Sequence, residues 1–129
     1  MSNVPADLLY TADHEYVKKT ADAAVVQIGI TDYAQGELGD VVFVNLPKVG
    51  DTFAAHAVFG TIEAVKAVSE LYCPVPGAVV EVNTALDADP AVVNRDPYGE
   101  GFMIKIRVTD AGALSSLLTP EAYKSHIGE

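Results

Sequence analysis

Cysteine occurs once in this 129-residue chain, at position 73, so neither an internal disulfide nor a cysteine-based zinc cluster can form. Cations are scarce as well. Eight Lys+Arg stand against eighteen Asp+Glu, a formal charge of -10. That balance argues against nucleic acid as a partner, because phosphate binding needs a basic surface that releases counterions. An acidic surface either steers cationic partners toward the protein or is simply solvated. No apolar run approaches the roughly 20 residues that span a bilayer, and no membrane segment is expected. Residues 1–7 contain no basic stretch followed by an apolar one, as a secretory signal would, and are not Arg-rich like a transit peptide. The expected location is a bacterial cytoplasm, or the mitochondrial matrix for a processed protein.

What the chain does have is hydrophobic content of 50%, enough for one packed domain spanning 1–129 and too little length for two. Short strand-like runs punctuated by turns dominate. Residues 14–19 and 23–30 read as strands joined by a hairpin at Thr20-Ala21-Asp22. Thr31 can cap a short helix that runs through Leu38, with Gly39 placed to end it. Residues 41–46 are apolar on both faces, as in a buried strand, and 47–51 turn the chain. Strands follow at 57–65, 68–74 and 77–82, with Pro76-Gly77 in the order of a type II turn. Residues 83–101 are rich in Asp, Asn, Pro and Gly and read as an ordered, irregular excursion. Phe102, Ile104, Ile106 and Val108 alternate with Lys105 and Arg107, as on a half-buried strand. Leu114, Leu117 and Leu118 have helical spacing, and Thr119-Pro120-Glu121 opens a final helix. Many short strands with peripheral helices indicate a mainly β fold, a small sandwich or half-open barrel. The stretches beginning at Val49 and at Pro76 resemble each other faintly, each a turn leading into a strand.

Two strand-like runs meet at Lys66, so a tight hairpin there would put its amine at an exposed tip, where a modifying enzyme can grip the chain. A lysine ε-amine can be acylated to a neutral amide. A long acyl group added to it would make an arm on the order of 10 Å, able to visit several active sites. The plainer reading is an exposed lysine with Glu63 and Glu70 as weak surface partners worth about 0–1 kcal/mol.

The segment Glu63-Ala64-Val65-Lys66-Ala67-Val68-Ser69-Glu70 resembles the lipoyl-attachment motif of glycine cleavage H-proteins. The resemblance runs in order along nearly the whole chain. His14-Glu15-Tyr16-Val17 is similar to the family's N-terminal element, and Gly29-Ile30-Thr31, Ala34-Gln35 and Leu38-Gly39-Asp40-Val41-Val42-Phe43-Val44 to its next block. Leu46-Pro47 and Val49-Gly50 continue it. Leu71-Tyr72, Pro74-Val75 and residues 77–83 match the run after the lysine, and residues 93–101, from Asn94-Arg95-Asp96-Pro97 onward, the late signature. Ala64 stands where Ser is common, Tyr16 and Phe102 replace frequent tryptophans, and Glu70 replaces a frequent Asp.

The resemblance implies a non-catalytic carrier with a barrel-sandwich hybrid fold and lipoate bound covalently to Lys66. A lipoate ligase or an octanoyl/lipoyl transferase would attach it, recognising Glu63 and Glu70. A pyridoxal-phosphate glycine decarboxylase (the P-protein) would load an aminomethyl group, and a tetrahydrofolate-dependent aminomethyltransferase (the T-protein) would remove it. A dihydrolipoyl dehydrogenase (the L-protein) would reoxidise the dithiol. The family's cleft contacts fall here on Asp13, Glu15 and Glu70, with His14 between the first two. A loaded arm, apolar along its length and cationic at its tip, wants an apolar groove ending in carboxylates. Visiting several enzymes suits a monomer with transient interfaces.

Rival readings are a lipoyl or biotinyl domain of a larger complex, an H-protein relative serving in lipoyl relay, and a small enzyme using Cys73, His14 or carboxylates. The first lacks the long terminal blocks seen here. Relay would need Lys66 equally. For the third, no base adjacent to Cys73 is evident, and His14, His56 and His126 lack the local spacing of a zinc-binding helix, so no metal is expected.

Overall fold

The computed structural model describes residues 3–129. Among the described residues nine strands form two sheets. The larger has six strands in the order β1-β2-β3-β9-β8-β5: Leu9–Tyr10, Glu15–Lys19, Val25–Ile30, Ile104–Val108, Gly77–Val82 and Thr52–Phe53. The smaller is β4-β6-β7: Val41–Asn45, Val58–Ala64 and Val68–Tyr72. All pairings are antiparallel. The two sheets enclose Val17, Ile28, Val44, Ile62, Leu71, Val79, Ile104 and Ile106, each at most 2% exposed. A fully buried aliphatic side chain of this kind contributes about 1.5–3 kcal/mol. The expected mainly β barrel-sandwich is what the chain forms.

Short helices cover the ends. Helix α1, Asp32–Leu38, begins where Thr31 Oγ1 accepts the Ala34 N–H and ends where Gly39, at φ +80°, donates its N–H to Gln35 O. Helix α4, Pro120–His126, is capped by Thr119 in the same way, with Pro at its first turn. Both follow from their capping residues. Tyr123 of α4, Leu8, Tyr10 and Tyr16 form a second buried cluster, in which the Tyr10 and Tyr123 rings stack at 4.7 Å.

Several expectations are corrected. Residues 41–46 are not buried on both faces: Val42 is 54% and Phe43 50% exposed, because a bulge interrupts the pairing with β6 and the outer face of the small sheet is uncovered. Gly77 makes no type II turn. Its φ is not positive, and it opens β8 where any Cβ would collide with Arg107 O and Ile106 Cγ2 across the ladder. The excursion at 83–101 contains two one-turn helices, α2 (Ala85–Ala88) and α3 (Val92–Arg95), which bury Leu86 and Val93. Phe102 lies outside β9, half-buried under Lys105 Nζ at 5.3 Å, and Met103 takes the buried place. Leu117 and Leu118 follow a 3-10 turn, Ala111–Ser116, rather than sharing a helix with Leu114. The two faintly similar stretches lie against each other, Thr52 opposite Ala78 and Phe53 opposite Gly77. No described helix is long and apolar enough to cross a membrane.

Candidate functional site

Strands β6 and β7 pair as far as Glu63 and Val68, and the Ala64 N–H donates to Ala67 O at 2.7 Å. Val65 and Lys66 are left as the exposed tip. The tip does not hang free. The Val65 N–H donates to Asp40 O at 3.0 Å, tying it to the connection between α1 and β4. Asn94 of α3 grips that connection from below. Its Oδ1 accepts the Val41 N–H at 2.9 Å, and its Nδ2 donates to Gly39 O at 2.8 Å and Gln35 Oε1 at 3.0 Å. The Lys66 stem crosses Gly39, where a Cβ would sit 3.4 Å from Lys66 Cε. No ion pair joins Lys66 to Glu63 or Glu70 among the described residues, so the plain surface-pair reading finds no geometry here.

Beside the tip lies a cleft of about 280 Å³ between α1, the start of β2, and the β6–β7 hairpin. Its walls are apolar: Ile30, Ala34, Leu38, Ile62 and Leu71. Tyr33 and Glu37, one helical turn apart, share the face of α1 that borders it. Asp13, His14, Glu15 and Glu70 all line this same cleft. Thus four residues singled out from sequence, spread over nearly sixty positions, converge. Glu63 does not join them; it pairs with Phe43 and Val68 in the small sheet.

Glu15 is 2% exposed and has no cation beside it among the described residues. Its Oε1 accepts from Thr11 Oγ1 at 2.9 Å and its Oε2 from the Tyr72 N–H at 3.4 Å. Burial pushes its carboxyl up to about 8, against the smaller opposing effect of those bonds. At neutral pH the group therefore sits largely protonated, with Oε2 the less committed oxygen. His14 adopts φ +69°, a left-handed conformation that costs a side-chain-bearing residue on the order of 1 kcal/mol or more. The turn places its ring against Tyr33 at 5.1 Å, with Nδ1 2.9 Å from the Tyr123 hydroxyl. Burial and then His126 hold His14 below the usual histidine range.

Residues 8–129 match the sequence profile of the glycine cleavage H-protein family. The chain belongs to that family. It is 53% identical to the glycine cleavage system H protein of Chlorobium limicola over 127 residues, 98% of this chain and 99% of that one. It is also 53% identical to that of Rubrobacter xylanophilus over 129 residues, 100% of this chain and 98% of that one. The crystal structure of a glycine cleavage system H protein from Mycobacterium marinum superposes with a TM-score of 0.88 at 42% identity, covering 98% of this chain and all of that one. As an H-protein family member the chain is a component of the glycine cleavage system, in a carrier family that holds lipoate.

Seen in the H-protein fold, Tyr16 fills its position by resting on Gly29, where a Cβ would lie 2.8 Å from the ring, and by donating its hydroxyl to Pro97 O at 2.7 Å. Cys73 is fully buried. Its thiol donates to Val75 O at 3.0 Å, and burial pushes it up to about 11, unlike a nucleophile. His14 and His126 do approach, at 5.6 Å between rings, but no three potential ligands gather among the described residues.

Sequence reading missed the α1 wall of the cleft, the Asn94 clamp and the Tyr123 hydroxyl. Asn94 lay within the late signature and was legible only as a turn residue.

Proposed function

We propose that residues 1–129 act as one monomeric, non-catalytic carrier domain, lipoylated on Lys66, that takes the aminomethyl group of glycine from the pyridoxal-phosphate decarboxylase to the tetrahydrofolate-dependent aminomethyltransferase. Dihydrolipoyl dehydrogenase completes the cycle, and a lipoate ligase or octanoyl/lipoyl transferase installs the arm. One observation carries the reading: the exposed Lys66 lies by Gly39, next in the chain to Leu38, one of the apolar residues of a cleft that Asp13, His14 and Glu15 also line.

The residues present fit the arm. The five helical steps of α1 from Leu38 beside the tip to Tyr33 beside His14 rise about 7.5 Å, comparable with an arm on the order of 10 Å. Aliphatic walls suit its hydrocarbon length. When bound, lipoate supplies a disulfide that can be opened, loaded and reclosed. The chain itself does the rest. The small sheet presents the Lys66 amine. Asn94 and the Asp40 carbonyl hold the tip over the cleft. Ile30, Ile62 and Leu71 exclude water from the arm. Glu15, its carboxyl pushed up to about 8 by burial, gives its proton to solvent when an ammonium enters the cleft, and the carboxylate accepts a charge-assisted hydrogen bond.

Glu63 on the outer face and Glu70 at the cleft edge flank the tip on two sides, as recognition points for the attaching enzyme. Attachment forms an amide: the Nζ lone pair attacks the carbonyl of the activated acyl group, the leaving group departs with its electrons, and the amine sheds a proton.

The test is intact-mass measurement after incubation with lipoate, ATP and lipoate ligase. Wild-type protein should gain one lipoyl mass and Lys66→Arg none. A gain on the variant, or none on the wild type, defeats the reading. Reconstitution with the three partner enzymes then separates glycine cleavage from lipoyl relay.

A further inference from the structure

Tyr123 belongs to α4, at the far end of the chain from His14, yet its hydroxyl lies 2.9 Å from His14 Nδ1 and 2.7 Å from Thr31 Oγ1. Either hydroxyl could donate across the second contact, and the surroundings decide which. Thr31 is fully buried, and its Oγ1 already accepts the Ala34 N–H at the start of α1. Its single proton has the Tyr123 oxygen as its partner among the described residues. Were Tyr123 the donor, the Thr31 proton would be stranded in the core, which buried polar groups avoid. Thr31 therefore donates to Tyr123, and Tyr123 donates to His14. A nitrogen that accepts carries no proton, so the proton of His14 sits on Nε2.

We propose that Tyr123 is a positioning residue of the cleft: through the directed chain Thr31 to Tyr123 to His14 it holds His14 as the neutral Nε2–H tautomer. Thr31 grips His14 twice, because its own N–H also donates to the His14 carbonyl at 3.0 Å, next to the left-handed turn that aims the ring. Charging His14 would place a proton on Nδ1, where the Tyr123 O–H already points. Both hydroxyls would then have to reverse.

The consequence rests on the carrier reading above. A cleft that receives an ammonium must not hold a cation of its own, and the locked tautomer keeps His14 uncharged beside Glu15. The groups facing the ring are Asp13 and Glu15 beside it in the chain, Tyr33 and Glu37 from α1, and His126 from α4. Glu70 faces it across the cleft from β7, and Glu129, beyond α4, acts on Tyr123. Asp13 and Glu37 favour a charged ring; burial and His126 outweigh them.

Nitrogen NMR of the histidine rings in unlipoylated protein tests the chemistry without relying on the arm. Wild-type His14 should show an unprotonated Nδ1 and a protonated Nε2 at neutral pH. Tyr123→Phe keeps the ring stacked on Tyr10 but removes the hydroxyl; Nδ1–H should then appear, and the His14 titration midpoint should rise by about one pH unit, tenfold in the charged-to-neutral ratio. Thr31→Ser in otherwise wild-type protein retains the donor and should keep the wild-type pattern. A protonated Nδ1 in the wild type overturns the proposal, as does a Tyr123→Phe spectrum identical to the wild type. If Tyr123→Phe does not fold, the wild-type spectrum still decides. A purely structural Tyr123 would alter stability and leave the tautomer alone. Because no lipoate is present, failure of lipoylation at Lys66 and failure of this chain are read separately.

Discussion

The Lys66 stem passes over Gly39 at a distance that leaves room for one methyl group: a Cβ built on the glycine would touch Lys66 Cε at 3.4 Å. The relationship joins the end of α1 to the hairpin tip, and it makes the least conspicuous residue of the segment a determinant of where the amine goes. Gly39 is doubly constrained, since its φ of +80° and ψ of -156° are open to glycine and strained for any other residue.

Gly39→Ala should therefore cost about 1–3 kcal/mol, from the left-handed backbone that an alanine rarely adopts. Thermal unfolding gives the stability, and the initial rate of lipoate incorporation gives the effect on the tip. An alanine variant as stable as the wild type would show that the connection can relax.

Asn94→Ala leaves the Val41 N–H and the Gly39 carbonyl without their side-chain partner. A loss of about 2–4 kcal/mol is expected, at 1–3 for each stranded group with some water entry. Urea unfolding measures it, and lipoylation should slow because the Asp40 anchor of Val65 shifts with this connection.

Glu15 makes stability fall as pH rises. Its carboxyl binds a proton in the folded state up to about pH 8 but in the unfolded chain only to about 4.5, so between those values the native form holds the extra proton. The contribution is complete below the lower value and is lost as pH climbs through the upper one. Glu15→Gln, which cannot charge, should match the wild type near pH 4 and exceed it in melting temperature at pH 8.5. The same variant should release a bound aminomethyl group faster from loaded protein. Parallel melting curves at both pH values, or an unchanged release rate, would contradict the role given to Glu15.

Cys73 should resist alkylation in the native protein. With the thiol pushed up to about 11 and fully buried, reaction with iodoacetamide at pH 7.5 should proceed only through unfolding. Labelling rates in increasing urea should track global stability. Rapid native labelling would reveal an opening of the core that the packing around Val75 gives no reason to expect.

Some of these features were legible before folding was considered. The caps Thr31 and Thr119, the stop at Gly39 and the hairpin bearing Lys66 all depend on interactions within a few residues. Short-range chemistry leaves a local trace. The exposure of Val42 and Phe43 did not follow from their hydrophobicity, because period-two patterning reports which residues share a face and not whether anything covers it. Asn94 looked like a turn former, and its bonds to Gly39 and Val41 reach more than fifty positions back. Tyr123 reaches 109 positions back to His14.

From the order of residues alone came the family resemblance, the β character and the lysine at a hairpin, since strand period, capping and an exposed amine are properties of contiguous chain. The resemblance already implied one cleft for Asp13, His14, Glu15 and Glu70; only the tertiary structure decided that Glu15 is buried there with no cation beside it, that α1 forms a wall, and that Asn94 holds the rim. Those outcomes depend on which distant surfaces exclude water from one another. Burial of that kind arises when two sheets and α1 close together, and no single segment specifies it.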